Sequence, residues 1–227
     1  MKGGGATGTG SGGTRSAIAR AFACDDELAG TIASMAHEAP LARGCVLWPL
    51  PDRDETTLIL AGRAQEVAYG HDGSMLQLSV LGAGDFYGSL IGSGEGDVAQ
   101  TEAMSDGRGA HFATPALVRL MDSYGAVARA INRQLAARLV ALRRRMVEAT
   151  LLSVTGRICA ELLRRAAGSE DRTIRPMPVM SELAISVRST RETVSRTVSL
   201  LEKRGIVRRT EGGLEIVAPH RLEEQIY

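Results

Sequence analysis

Apolar and polar positions change period along this chain. Asp25, Asp26 and Glu27 precede an apolar pattern at Leu28, Ile32 and Met35, and acidic residues in a first turn favour a helix, here to about His37. From Leu41 to Phe112 short alternating runs follow, among them CVLWPL, TTLILAG, QEVAYG, SMLQLSVL and VAQTEAM. Each has strand length. His71-Asp72-Gly73 between two of them is a hairpin signal, because Gly readily takes the positive φ of such turns. Evenly spaced short strands point to a β-sandwich or jelly roll.

Pro115 opens a different regime, and one long helix without Pro or Gly is predicted from about Ala126 to Leu152. Within it Leu135, Leu139, Leu142, Met146 and Ala149 are spaced 4, 3, 4 and 3 apart, the seam of a parallel two-stranded coiled coil. A helix packed only on its own sandwich would show a similar stripe. Arg138, Arg143, Arg144 and Arg145 flank this one, however, and would make poor core residues. VTGRICAELLRRAAG, Val154 to Gly168, reads as a second amphipathic helix, and Gly168 to Pro178 as a polar connector.

The segment SELAISVRSTRETVSRTVSLLEKRGIV, Ser181 to Val207, reads as two short helices joined by a tight turn. The second carries Arg191, Glu192, Ser195 and Arg196 on one face and Val194, Val198 and Leu201 on the other, the pattern of a helix-turn-helix whose second helix enters a DNA major groove. Thr190, or Ser189 with Glu192 as a capping box, is placed to start that helix, and Gly205 to end it. Val207–Arg209 and Leu214–Val217, joined by Thr210–Gly213, make a hairpin, so the unit is a winged helix.

Composition sharpens this picture. A chain of 227 residues with 44% apolar content suits two modest domains. Up to residue 128 it holds 8 Lys and Arg against 15 Asp and Glu, and from residue 129 onward 19 against 11. A basic second half suits a polyanion, because cations on phosphates release condensed counterions. No apolar run approaches the length of a membrane span and no secretion signal is evident, so a cytoplasmic protein without membrane attachment is expected. Cys24, Cys45 and Cys159 lack metal or redox spacing and are expected to be buried small hydrophobes, with no metal site. The glycine-rich start, and with it residues 1–24, is expected to be a disordered tail. LGAGDFYGSL, Leu81 to Leu90, would let its backbone approach a ligand or another strand, but it is no dinucleotide fingerprint. With no nucleophile–base pair, metal cluster or phosphate loop, an enzyme is not expected.

The GDFYG, VTGRI and RETVSR segments, in this order, resemble those of the Crp/Fnr family of bacterial transcription regulators over about Leu41 to Pro219. The resemblance implies an α+β protein. It would have a cyclic-nucleotide-binding-like jelly roll at 25–125, a dimerisation helix at 126–152 and a winged helix at 153–227. Ala184 matches the family's small residue at the helix crossing, whereas Arg188 stands where the turn usually has Gly, and a non-Gly residue at positive φ is uncommon.

From the residues alone, the Arg forks match guanine O6 and N7 and Glu can accept from cytosine N4. The resemblance implies that Glu192 and Arg196 read a TGA core in each half-site, with Arg191 extending the readout. Ser195 completes the base-contacting face, while Thr190, Thr193, Ser199 and the wing's Arg208 and Arg209 are placed for phosphates. Alternatively, Glu192 and Arg196 are only a surface pair.

Against cyclic-AMP-binding members the sensory residues depart: Gly88-Ser89-Leu90 replaces Gly-Glu-Leu, Ala99-Gln100-Thr101 stands in the region of the phosphate-binding Arg-Ser, and Leu142-Arg143 replaces the Thr-Ser pair of the dimer helix. No Lys or Arg lies between Arg63 and Arg108, and burying a phosphate without a cation is costly. No cofactor is expected, and cyclic AMP is not the expected effector. Cyclic di-GMP held by Arg143 to Arg145, or haem on His71 or His111, are the alternatives, while three scattered cysteines exclude an iron–sulfur cluster on four. The expected partners are double-stranded DNA, a second copy of the chain and RNA polymerase. From another functional class, the alternative is a sensor or adaptor that does not bind DNA.

Overall fold

A computed structural model describes residues 10–51, 53–92 and 99–226. The chain divides into two compact units, Met1–Val140 and Ala141–Tyr227. Residues 1–9 of the expected tail, and Val98 of the VAQTEAM run, lie outside the described residues.

The first unit opens on helices α1 (Gly10–Phe22) and α2 (Asp26–Ser34). Strands β1 (His37–Leu41), β2 (Val46–Trp48), β3 (Glu55–Ala61), β4 (Ala64–Tyr69), β5 (Met75–Leu81) and β6 (Phe86–Gly88) follow. Then come a single turn α3 (Ser89–Gly92), β7 (Ala99–Ala103), β8 (Gly107–Ala113), α4 (Thr114–Ser123) and the long α5 (Gly125–Leu151). The strands form two four-stranded antiparallel sheets, ordered β1-β8-β3-β6 and β2-β7-β4-β5. That is the strand order of a jelly roll. Leu41, Ile59, Ala64, Leu81 and Tyr87 pack together as one core cluster drawn from both sheets. Leu58, Phe86, Ala110 and Phe112 form a second with residues of α1, α2, α4 and α5.

The expected disordered tail to residue 24 is corrected by α1. Ile18 and Phe22, one turn apart, are fully buried, and the Phe22 ring lies 5.2 Å from that of Phe86. Arg15 adds hydrogen bonds to the Asp26 carbonyl at 2.6 and 2.9 Å. Tertiary burial thus overrides the weak helix propensity of a glycine-rich start. Asp25 caps α2, accepting from the Leu28 amide at 2.9 Å, but α2 ends at Ser34 and His37 begins a strand instead of ending the helix. The His71-Asp72-Gly73 turn closes the β4–β5 hairpin, with Gly73 at φ +78° and the Ser74 amide donating to Asp72.

Gly88 decides between the two roles open to the glycine-rich segment. It sits at φ +114°, where a Cβ would lie 2.2 Å from the Glu55 carbonyl oxygen. The close approach is to strand β3, and no ligand is needed to explain this glycine.

The second unit contains α6 (Val154–Ala166), β9 (Thr173–Ile174), α7 (Met180–Ser186), α8 (Arg191–Lys203), β10 (Val207–Thr210), β11 (Gly213–Ile216) and α9 (Pro219–Glu223). Its three strands are ordered β10-β11-β9. Ile158, Cys159 and Leu162 of α6 pack with Leu183, Val194, Val198, Leu201, Leu214 and Leu222 in one core. The division between the units falls inside α5, between Val140 and Ala141. Its first turns bury Val127, Ala130 and Ile131 in the first unit, while Glu148 near its end pairs with Arg164 of α6 at 2.7 Å.

Of the cysteines only Cys159 is fully buried, and burial pushes its thiol up to about 11. Cys24 is half-buried and Cys45 exposed, which corrects the expectation for both.

Candidate nucleic-acid interface

Helix α8 owes its start to Thr190, whose hydroxyl accepts from the Thr193 amide at 3.2 Å, so the single N-cap is used and not the capping box. Gly205 follows the helix at φ +68°, as its C-terminal signal requires. Val194, Val198 and Leu201 bury one face completely. The opposite face therefore projects: Arg191, Glu192 and Arg196 are exposed, with Ser195 and Ser199 half-buried beside them.

Glu192 and Arg196 pair across one turn at 2.5 Å with side chains 80% and 77% exposed. The surface pair thus exists, and both groups stay available to a ligand. Arg191 has no ion pair among the described residues. The turn before α8 does adopt positive φ, at Arg188 (+53°), and the small Ala184 is buried at the crossing of α7 and α8.

On the wing, Arg208 pairs with its cross-strand neighbour Glu215 at 2.8 Å, and Arg209 pairs with Glu202 of α8 at 3.2 Å. Both arginines remain more than half exposed. Glu211-Gly212 forms the two-residue tip, with Thr210 and Gly213 already paired. Strand β9, which the connector reading passes over, adds a third strand beside β11.

The residues expected around a sensory pocket are held by the fold itself. Gly88 packs on β3, the Leu90 amide donates to Thr56 Oγ1 at 3.1 Å, and Gln100 of β7 donates to Glu102 at 2.6 Å. Ser89 opens α3 and Ala99 opens β7, and each makes a further interaction. Leu142 and Arg143 are exposed on α5 in the second unit.

Sequence reasoning missed the polar contacts that α5 makes with the jelly roll. Gln134 accepts from the Phe86 amide at 3.2 Å and donates to the Gly84 carbonyl; one turn on, Arg138 donates to the Phe86 carbonyl and lies 3.4 Å from Glu66. Arg138 is therefore a half-buried clamp and not a solvated flank. Arg145 is likewise half-buried, and burial draws its guanidinium below the ordinary range against the pull of Glu161 and Glu148.

His71 is exposed in its turn. His111 is nearly buried, its Nδ1 2.8 Å from Thr57 Oγ1 and its buried Nε2 without a hydrogen-bond partner. Burial holds the imidazole below its usual value; Glu55 opposes this, and His37 and Arg53 reinforce it. The folded unit thus keeps His111 neutral, while the unfolded chain takes up a proton near pH ~6.5. Stability is full above that pH and falls as pH drops towards the lower folded value. Urea unfolding followed by the single tryptophan, Trp48, should weaken between pH 7.5 and 5.5, and His111→Asn should flatten that dependence. Equal slopes in both proteins would count against this origin. Among the described residues no group of three or more His, Cys, Asp or Glu could hold a metal ion, and no helix is long and apolar enough to cross a membrane.

Comparison with known proteins bears on both units. A model of the Crp-like helix-turn-helix domain matches residues 156–225, which span α6, the α7–α8 pair, the wing and α9. Residues 156–225 thus form a Crp-like helix-turn-helix domain. The Crp-like domain carries every candidate DNA-contacting residue, and the fold beyond it is also that of solved regulators. A CooA mutant from Carboxydothermus hydrogenoformans superposes with a TM-score of 0.76 at 18% identity, covering 87% of this chain and 90% of that one. FixK2 from Bradyrhizobium japonicum gives 0.68 at 17%, covering 84% and 96%. The regulator CLP of Xanthomonas campestris, described as c-di-GMP responsive, gives 0.70 at 20%, covering 85% and 99%. At such identities the likeness is one of fold. No curated protein matches the chain.

Proposed function

We propose that this protein is a transcription regulator of the Crp/Fnr type, acting as a homodimer on palindromic DNA. In this reading Arg191, Glu192 and Arg196 read a TGA core in each half-site and Ser195 completes the face. The observation that carries the reading is the division of α8, which buries Val194, Val198 and Leu201 completely while presenting Glu192 and Arg196 from its first two turns. A recognition helix needs that combination, since its N-terminal residues must reach base edges while its other face stays in the core. Thr190, Thr193, Ser199, Arg208 and Arg209 hold the backbone.

Two helices about 34 Å apart are needed to read both halves of a palindrome, and α5 supplies the means of pairing. Leu139 and Met146 are 58% and 71% exposed, and Leu135 and Leu142 are exposed beside them. In this reading cyclic AMP is not the effector, because no Lys or Arg lies between Arg63 and Arg108, the region where the family's phosphate-binding Arg would stand. The Arg143–Arg145 alternative for cyclic di-GMP loses support from Arg145, which sits among Glu148, Glu161 and Arg164.

Mobility shift of a TGA palindrome, titrated with salt, tests the reading. Retardation should weaken steeply with salt, with log K falling by about 0.9 per phosphate neutralised, and should not respond to cyclic AMP. Absence of retardation at low salt would favour the adaptor class.

A further inference from the structure

Arg157 is the fourth residue of α6, and its guanidinium meets no carboxylate among the described residues. It meets three carbonyl oxygens instead: Leu152 at 2.9 Å from Nη1, Val187 at 2.9 Å from Nε and Arg188 at 3.4 Å from Nη2. Leu152 directly follows the last residue of α5, Val187 caps the C-terminus of α7, and Arg188 is the turn residue at φ +53°. All three oxygens lie at or just past helix C-termini, where unpaired carbonyls carry partial negative charge. One cation thus ties together two helix ends and the strained turn.

That turn decides where α8 begins. The amides of Arg188 and Ser189 donate to Ile185 and Ala184 at 3.2 and 2.9 Å, and the next residue, Thr190, is already the cap of α8. A residue with a Cβ disfavours the left-handed conformation of Arg188, so the turn needs outside support. Arg157 provides it through the carbonyls of Val187 and Arg188, which lie on either side of the Arg188 Cα. A lysine keeps the charge but lacks the planar fork that serves several acceptors at once.

We infer that Arg157 is a positioning residue for operator recognition, fixing the turn and through it the base-reading end of α8 without touching DNA itself. The inference rests on the reading of α8 as the recognition helix. It differs from a plain packing role because loosening the turn should blur base readout while leaving the phosphate-seeking cations in place.

The test compares full-length wild type, Arg157→Ala, Arg157→Lys and the double variant Arg157→Ala/Arg188→Gly on a TGA palindrome and on a scrambled duplex at one salt concentration. Both single variants should lose about tenfold or more in the ratio of palindrome to scrambled affinity, the scale of one mismatched base pair, with scrambled binding unchanged. Arg188→Gly should restore part of that ratio, since glycine takes positive φ without penalty. Circular dichroism checks folding, and Arg157→Lys supplies the same ratio should Arg157→Ala not fold. A wild-type ratio in the single variants, or equal losses on both duplexes, would overturn the inference. Equal wild-type affinity for both duplexes would remove the reading of α8 itself and the inference with it.

Discussion

Replacing Leu142 and Met146 together by Asp is expected to turn the protein into a monomer that no longer distinguishes its operator from random DNA. Both side chains are exposed in the single chain, 48% and 71%, so its own fold should survive the change. In the proposed dimer they lie on the 4-3-4-3 seam, where the pair of substitutions would set four carboxylates against an apolar contact. Each uncompensated charge there costs several kcal/mol, more than a coiled-coil contact of this length can offset. Operator affinity should fall with the loss of the second half-site, since a lone helix spans only part of the site. Sedimentation and mobility shift check the two halves of the prediction. A stable dimer carrying both aspartates would sink the seam assignment. Val140, Val147 and Leu151, also exposed on α5, lie outside the heptad seam and widen the apolar surface beside it.

The second large effect is expected at Arg196. Its removal should weaken binding to the palindrome by about 1–3 kcal/mol and relax the preference at one base pair. Thermal stability should hardly move, because its only pairing among the described residues is the exposed bridge to Glu192. Arg208→Ala gives the contrast: as a phosphate contact it should weaken all sequences alike and reduce the salt slope by about one. Binding-site selection with the two variants separates the roles. An unchanged base preference after Arg196→Ala would remove the residue from the reading set.

Elements whose signals are local were legible. The α8 pattern, its Thr190 and Gly205 termini and the wing hairpin all lie within a few residues of one another, and the structure places them as the pattern implies, except that the wing turn is two residues, Glu211-Gly212, and not four. Five of the strands between Leu41 and Phe112 were legible for the same reason, whereas the short β6 and the glycine-bearing β8 were not. What escaped depends on remote partners. The burial of Phe22 in α1 depends on Phe86, and the role of Arg138 on Glu66 and the Phe86 carbonyl. Nothing near those residues in sequence announces either contact. Gly88 was ambiguous because a close backbone approach leaves the same mark in sequence for a ligand or a strand, and only the Glu55 carbonyl resolves it. Arg157 sat inside a recognised segment, yet its three acceptors are backbone atoms, which no residue pattern displays.

The carboxylates beside Arg196, Arg208 and Arg209 have a consequence for how a target is found. Each cation already has an anionic neighbour, in Glu192, Glu215 and Glu202, so a phosphate contact exchanges one anion for another and gains less than an unpaired cation would. In the proposed reading, only a site that also satisfies Glu192 through a base edge repays the exchange. In that reading the dwell time on the many wrong stretches of a chromosome would be shortened, and with it the search among competing sites.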